Sequence, residues 1–281
     1  MNKGIGRLGK TAKGHLQKGV RMVITRQELK RDRWSLLIWS VSVGGIIAFC
    51  LFLFPQMKKE MGAITEAFSG MESISNAFGM NQLNLGTVMG FYGLYGGCIL
   101  GIGGMFFAAV LGTGMLSREE REHTAEFLFT HPVSRGRIFA EKLAAVLGEI
   151  LAFNLIVAVC SIFASMAIKE TLVWEEFFLF HGAQILMQME IGGICFGISA
   201  FIRRGSISIG MGIAAFLYFL GLLQNITEKM EVLRYVTPFS YADAADILET
   251  GKLDGAAITV GMIYMAFALV IGFVKLRRKD L

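Results

Sequence analysis

W-S-L-L-I-W-S-V-S-V-G-G-I-I-A-F-C-L-F-L-F, from Trp34 to Phe54, is a run of 21 residues without a charged side chain. At about 1.5 Å per helical residue such a run reaches roughly 30 Å, the thickness of a bilayer's hydrocarbon core. A leader rich in Lys and Arg precedes it, Trp34 stands at the boundary as an interfacial anchor, and Pro55, Lys58 and Lys59 follow as a stop. Both the leader and the run are too long for a signal peptide, so the run is expected to persist as a membrane span.

The same pattern recurs outward along the chain. Uncharged or nearly uncharged stretches lie near 88–116, 143–168, 177–202, 206–224 and 256–274, and only 143–168 and 177–202 contain a carboxylate. Of the 281 residues 54% are hydrophobic and 17% charged, a balance that excludes a soluble globular domain and a disordered chain. The expectation is an all-α integral membrane protein with six transmembrane helices. A cytoplasmic basic tail and amphipathic helix would occupy 1–33, and a single six-span domain 34–281. The cysteines Cys50, Cys98, Cys160 and Cys195 fall one in each of four apolar stretches, where thiols behave as small hydrophobes, so neither a disulfide framework nor a metal site is read from them.

Orientation follows from the basic residues, which short cytoplasmic loops retain. Residues 1–33, the loop 117–142, Arg203 with Arg204, and the tail after 274 hold 21 of the 27 Lys and Arg. Both termini are therefore expected in the cytoplasm of a multi-pass protein of the cell membrane. The net charge of +5 conceals a basic inner face, suited to the anionic headgroups of the lipid bilayer and not to nucleic acid.

Within the tail, Gly4 to Thr11 reads G-I-G-R-L-G-K-T, the letter pattern of a phosphate-binding loop. That chemistry needs a strand before the loop and a helix after it, and only three residues precede Gly4, so the match is rejected. Leu16, Val20, Val23 and Ile24 then recur at helical spacing among Lys18, Arg21 and Arg26, which predicts a helix lying in the membrane interface.

The most informative segment is the loop from Ser117 to Lys142, S-R-E-E-R-E-H-T-A-E-F-L-F-T-H-P-V-S-R-G-R-I-F-A-E-K. Ser117 with Glu120 reads as a capping box, and Glu119, Glu120 and Glu122 suit the first turn of a helix starting there. Pro132 stops that helix, and Ser134 is placed to cap the next one, which runs through Arg135 and Lys142 into the third span. Phe127, Leu128 and Phe129 would stand exposed on a short charged helix, an arrangement that calls for a partner.

These residues resemble the signature cytoplasmic segment of type-2 permeases of ATP-binding-cassette (ABC) exporters. The matching elements are Glu119, Glu120, Glu122, Thr124, Glu126, Leu128, Pro132, Val133, Ser134, Arg135, Ile138 and Lys142, while His123 departs from the Gly often found before the Thr. The resemblance extends to the layout of an amphipathic leader, six spans and a long outer segment 225–255. It implies a permease subunit with no catalytic activity, which binds no cofactor itself. Its loop would be a coupling helix seated in a separate ATPase subunit, present in two copies and holding the ATP and Mg2+. Glu119, Glu120, Glu122, Thr124, Glu126, Phe127, Leu128, Pro132, Val133 and Arg135 would form that interface. A second permease subunit, most simply in a homodimer, would complete the core, and the outer segment would form short helices dipping back into the outer leaflet.

Two further features bear on packing and passage. Gly86, Gly90, Gly93, Gly97 and Gly101 form a small-residue stripe that lets helix backbones approach closely in lipid, and Gly193 and Gly197 do the same on the fourth span. Glu190 lies midway along that span, where an ionised carboxylate costs about 3 kcal/mol or more, and projects to the side of Gly193 and Gly197. It is read either as a structural hydrogen bond or as part of the translocation path, with Gln184, Gln188 and Glu149 as further candidates. Glu149 is expected near enough to the inner surface to be hydrated. The alternative function is a secondary transporter driven by an ion gradient, with Glu190 and Glu149 as proton sites, although no repeat relates the two halves. No H-E-x-x-H or G-x-S-x-G motif supports an intramembrane enzyme. The cargo stays open between a peptide, a lipid-like molecule, a drug and a small ion, and the scarcity of polar groups favours a hydrophobic one.

Overall fold

The computed structural model describes residues 22–60, 75–76, 80, 82–121, 134–202, 207–226 and 233–278. Among the described residues there are seven helices and no strand: α1 Val23–Met57, α2 Val88–Arg121, α3 Arg135–Ala167, α4 Trp174–Ser199, α5 Ile207–Ile226, α6 Ala244–Thr250 and α7 Gly255–Arg277. Five of them, α1, α2, α3, α5 and α7, are long and apolar enough to cross a membrane. α4 has 26 residues and comparable length, but it carries His181, Gln184, Gln188 and Glu190 and is buried among the others.

The perimeter is apolar. Ile38 and Phe49 on α1, Phe163 on α3, Phe216 on α5 and Phe267 on α7 all stand exposed, as side chains facing lipid do. Inside, aromatic rings interlock: Phe107 of α2 stacks on Phe153 of α3 at 4.8 Å, and Phe139 of α3 meets Phe196 of α4 at 4.9 Å and Phe273 of α7 at 5.4 Å. Two crossings bring backbones together. A Cβ at Gly112 of α2 would stand 2.3 Å from the Gly192 carbonyl oxygen of α4, and one at Gly197 of α4 would stand 2.3 Å from the Ala268 carbonyl oxygen of α7. Only glycine allows either contact.

Several boundaries differ from the sequence reading. α1 runs unbroken from Val23 across the expected boundary between 33 and 34, and Pro55 lies inside its last turn. Proline lacks the N–H that would bond the carbonyl four residues earlier, a loss confined here to the end of the helix. The part of the expected surface helix that is described buries Thr25, Glu28 and Asp32 and leaves Val23 exposed, so its inward face is polar. Leu16 and Val20 lie outside the described residues. Ser117 does not cap a new helix: α2 continues through it to Arg121, and its hydroxyl donates to the Thr113 carbonyl at 2.7 Å, the usual bond of a serine inside a helix. Ser134 does cap α3, accepting from the Arg137 N–H at 3.3 Å.

The segment after α5 folds back onto the bundle. Asp243 caps α6 by accepting from the Ala245 N–H at 2.8 Å, and Gly251, at φ 63°, ends it in the left-handed conformation that glycine adopts without strain. α6 rests on the stripe: a Cβ at Gly93 would lie 2.8 Å from Leu248, and one at Gly97 3.4 Å from Ala244. The stripe thus receives a seven-residue helix there and not another span, because the two glycines leave a groove shallow enough for Ala244.

Candidate functional site

The chemistry divides between two ends of the bundle, and the loop 117–142 marks one of them. At this loop end, Lys142 is fully buried near the start of α3. An ammonium without water must find acceptors. Its Nζ donates to Glu28 Oε1 of α1 at 2.9 Å and to the Met115 carbonyl of α2 at 2.7 Å. Arg31 pairs with the same Glu28. One turn on, Asp32 receives both of its bonds from Arg118 Nη1, at 2.7 and 3.0 Å. Glu141 accepts from the Ile24 N–H at 2.9 Å and from Arg137 Nε at 2.8 Å, while its carbonyl accepts from the Thr25 hydroxyl at 2.8 Å. The helices on both sides of the loop are therefore held to the first turns of α1.

Arg135 completes this end. Its Nη1 donates to the Leu276 and Arg277 carbonyls at 3.1 and 2.9 Å, satisfying groups that the C-terminus of α7 leaves open. Of the other expected interface residues, Glu119 and Glu120 lie in the last turn of α2 and their side chains are not described. Glu122, Thr124, Glu126, Phe127, Leu128, Pro132 and Val133 lie outside the described residues.

Above the ion pairs, polar groups continue in tiers between α2, α3 and α4. Glu149 is 1% exposed, and neither carboxylate oxygen has a partner; the charged groups around it are Asp32, Arg118, Glu28 and Arg31. α1 and α2 close over this face of α3 and enclose the side chain. Next, Asn154 Nδ2 donates to Gln188 Oε1 at 2.7 Å and to the Ile150 carbonyl at 2.9 Å. Asn154 Oδ1, Gln188 Nε2 and Ser40 Oγ are left buried without partners. A Cβ at Gly104 would lie 2.1 Å from Gln188 Nε2, so the missing side chain there makes room for the amide.

A third tier lies seven residues further along both α3 and α4, about 10 Å away. Ser161 donates to the Val157 carbonyl at 2.9 Å, and the Tyr92 hydroxyl donates to Ser161 at 3.0 Å. Tyr92 has then spent its one hydrogen, so its 2.8 Å contact with His181 Nε2 requires the proton on the imidazole. His181 Nδ1 is the acceptor, buried and without a partner.

The four candidate path residues face different neighbours within the chain. Gln188 and Glu149 belong to these tiers. Glu190 faces the other way: Oε2 accepts from the Tyr241 hydroxyl at 2.8 Å, and the carboxylate rests where a Cβ at Gly261 of α7 would lie 2.1 Å from it. Gln184 donates through Nε2 to the Ala242 carbonyl at 3.1 Å and borders a separate cavity of about 80 Å³ at the opposite end. Gly101 also borders that cavity, whereas Gly86 and Gly90 pack on the turn at Asn84, and Gly193 packs on Met265.

That opposite end holds the acids of the segment 225–255. Asp254 caps α7 at the Ala256 and Ala257 N–H groups, 3.0 and 3.2 Å away, and accepts from Arg234 Nε at 2.6 Å. Burial pushes its carboxyl up, but the Ala257 N–H and the Arg234 guanidinium outweigh burial and hold it below the usual carboxylate range. Asp243 moves the other way: burial raises it, opposed by the Ala245 N–H and the Asn225 amide.

Sequence reasoning missed Glu28, Asp32, Arg118 and the tyrosines Tyr92 and Tyr241. One signal was available. Glu28 and Asp32 are two acids four residues apart in a basic leader, hence on one face of a helix. The sequence model of a family described as "ABC-2 family transporter protein" matches residues 22–281. No curated protein matches the chain.

Proposed function

The chain belongs to the ABC-2 transporter family, a membrane transport component, and on that premise we propose that it is the permease subunit of an ATP-driven exporter. Five apolar helices make it a multi-pass membrane protein. In the proposed arrangement α4 is a sixth span, long enough to cross but shielded from lipid by its neighbours, and the polar side chains it carries are the reason for that shielding. The loop end, with 21 of the 27 Lys and Arg in its expected segments, faces the cytoplasm together with both termini. A separate ATPase subunit, in two copies that bind the ATP and Mg2+, docks on residues 117–142, and two copies of this chain enclose the path. Glu190, Gln184, Gln188 and Glu149 supply its polar groups.

One observation carries the coupling proposal. Both ends of the 117–142 loop are clamped to α1 by ion pairs, the partly buried Arg118–Asp32 on one side and the buried Lys142–Glu28 on the other. A push on the loop cannot be absorbed where it arrives, since breaking the buried Lys142–Glu28 pair alone costs about 3 kcal/mol or more. It must move α1, α2 and α3 together. The test is a gentle-detergent purification of the tagged chain, followed by intact mass and an ATPase assay of what accompanies it. The proposal expects an ATPase in equal ratio, released by Glu120→Lys combined with Glu126→Lys. A chain that arrives alone and transports in vesicles without ATP overturns it.

A further inference from the structure

The cavity beside Gln184 has acceptors on its wall and, among the described residues, no cationic side chain. The orientation of the Gln184 amide is fixed: the Ala242 carbonyl needs a donor, so Nε2 faces it and Oε1 is left toward the cavity, 3.9 Å from where a Cβ at Gly101 would stand. Gln184 is 2% exposed, and this oxygen has no partner. Asp243 supplies a carboxylate to the same cavity. Its oxygens accept from Asn225 Nδ2 at 2.6 Å and the Ala245 N–H at 2.8 Å, with the Asp246 N–H as a third donor, so of the carboxylate's roughly four lone-pair sites one remains open. Tyr218 and Phe239, edge to face at 5.2 Å, bring aromatic rings to the wall, and among the described residues no Lys, Arg or His lines it.

A buried amide oxygen with no donor costs free energy, and a carboxylate beside it adds negative potential in a setting of low dielectric. What restores the balance is a positively charged donor, and aromatic faces favour the same kind of group. The volume limits its size: about 80 Å³ is short of the roughly 150 Å³ that admits a benzene ring. Only the narrow end of a larger molecule fits, with its body leaving through the open side of the cavity into the apolar surroundings of α2 and α5.

We propose that this cavity seats the primary ammonium end of an amphipathic amine, held by Gln184 Oε1 and Asp243. The proposal deepens the permease reading, on which it rests for the view that the occupant is cargo; the binding itself stands without it. The same ammonium occurs on a phosphatidylethanolamine headgroup and on a free long-chain amine.

Cys98 lines the cavity and serves as the reporter, in a full-length chain carrying Cys50→Ser, Cys160→Ser and Cys195→Ser in phosphatidylcholine nanodiscs. Dodecylamine is expected to slow alkylation of Cys98 by N-ethylmaleimide and to raise the thermal midpoint, while dodecanol does neither. Gln184→Leu and Asp243→Asn, the latter still able to cap α6, each weaken dodecylamine by about tenfold, the worth of one charge-assisted hydrogen bond. Protection in nanodiscs containing phosphatidylethanolamine, without added amine, assigns the lipid as the source; protection by dodecylamine alone assigns a free amphiphile. Equal effects of dodecanol and dodecylamine, or undiminished binding in both variants, overturn the proposal. If dodecylamine binds but no ATPase co-purifies, the site stands and the permease reading falls; the reverse result removes the site and leaves that reading intact.

Discussion

Two lysine–glutamate pairs join the neighbourhood of α1 to that of α3, one at each end of the bundle. Lys142 and Glu28 meet at 2.9 Å, with side chains 1% and 6% exposed; Lys58 and Glu170 meet at 3.2 Å, with side chains 48% and 32% exposed. The distances are nearly the same and the surroundings are opposite. Losing one member of the first pair strands a charge where no water can reach it, whereas losing one member of the second leaves a charge that water already solvates. Burial, and not contact distance, decides which end behaves as a rigid joint.

The largest expected effect comes from Lys142→Met. It leaves Glu28 without its ammonium and the Met115 carbonyl without a donor, although Arg31 still compensates part of the Glu28 charge. A loss of about 3 kcal/mol is expected, the lower end for breaking a buried pair, read as a lowered melting midpoint in detergent. Adding Glu28→Leu should recover most of it, because the cost lies in the uncompensated charge. A double variant that melts no higher than Lys142→Met breaks the comparison at its root. Arg118→Gln comes next, at about 2 kcal/mol, since Asp32 keeps slight access to solvent and an amide can still donate once to it.

The apolar architecture was legible from the sequence and the joint was not. Uncharged runs located every long helix to within a few residues at most ends, because apolar length is a local property. The exceptions, α1 extending back to Val23 and α2 forward to Arg121, are both at the loop end, while α3 starts at Arg135 as a cap at Ser134 requires. There the helices continue on ion pairs instead of apolar side chains, so hydropathy stops marking them too early. Ser134 was readable as a cap, since capping is also local. What Lys142 or Tyr241 touches depends on which helices adjoin, with Glu28 and Glu190 standing 114 and 51 residues away, and no local pattern carries that.

Glu190→Gln sits between the two pairs and sharpens the contrast in a different way. Its carboxylate is buried like Glu28, yet its partner is the neutral Tyr241 hydroxyl and not a cation. An amide carbonyl accepts that hydrogen bond equally well, so the change in stability should stay within about 1 kcal/mol and assembly should be intact. Transport in reconstituted vesicles should change nevertheless. Unaltered transport at unaltered expression would reduce Glu190 to a structural link between α4 and the outer segment.

Lys58→Gln is the smallest effect and the control for all the others. Lys58 follows the last turn of α1, and its ammonium also lies 5.3 Å from the Phe54 ring, so two weak contacts are lost together. Exposed pairs contribute about 0–1 kcal/mol, and an exposed cation over a ring about 0.5–1 kcal/mol more. The Coulomb part is screened, with a Debye length of roughly 10 Å at 0.1 M salt and roughly 3 Å at 1 M. Melting curves of wild type and Lys58→Gln should therefore converge as salt rises, while the deficit of Lys142→Met, shielded from ions by the protein around it, persists. A Lys142→Met deficit that also vanishes in salt would mean that water and ions reach the loop-end joint, and the two ends would then differ in degree only.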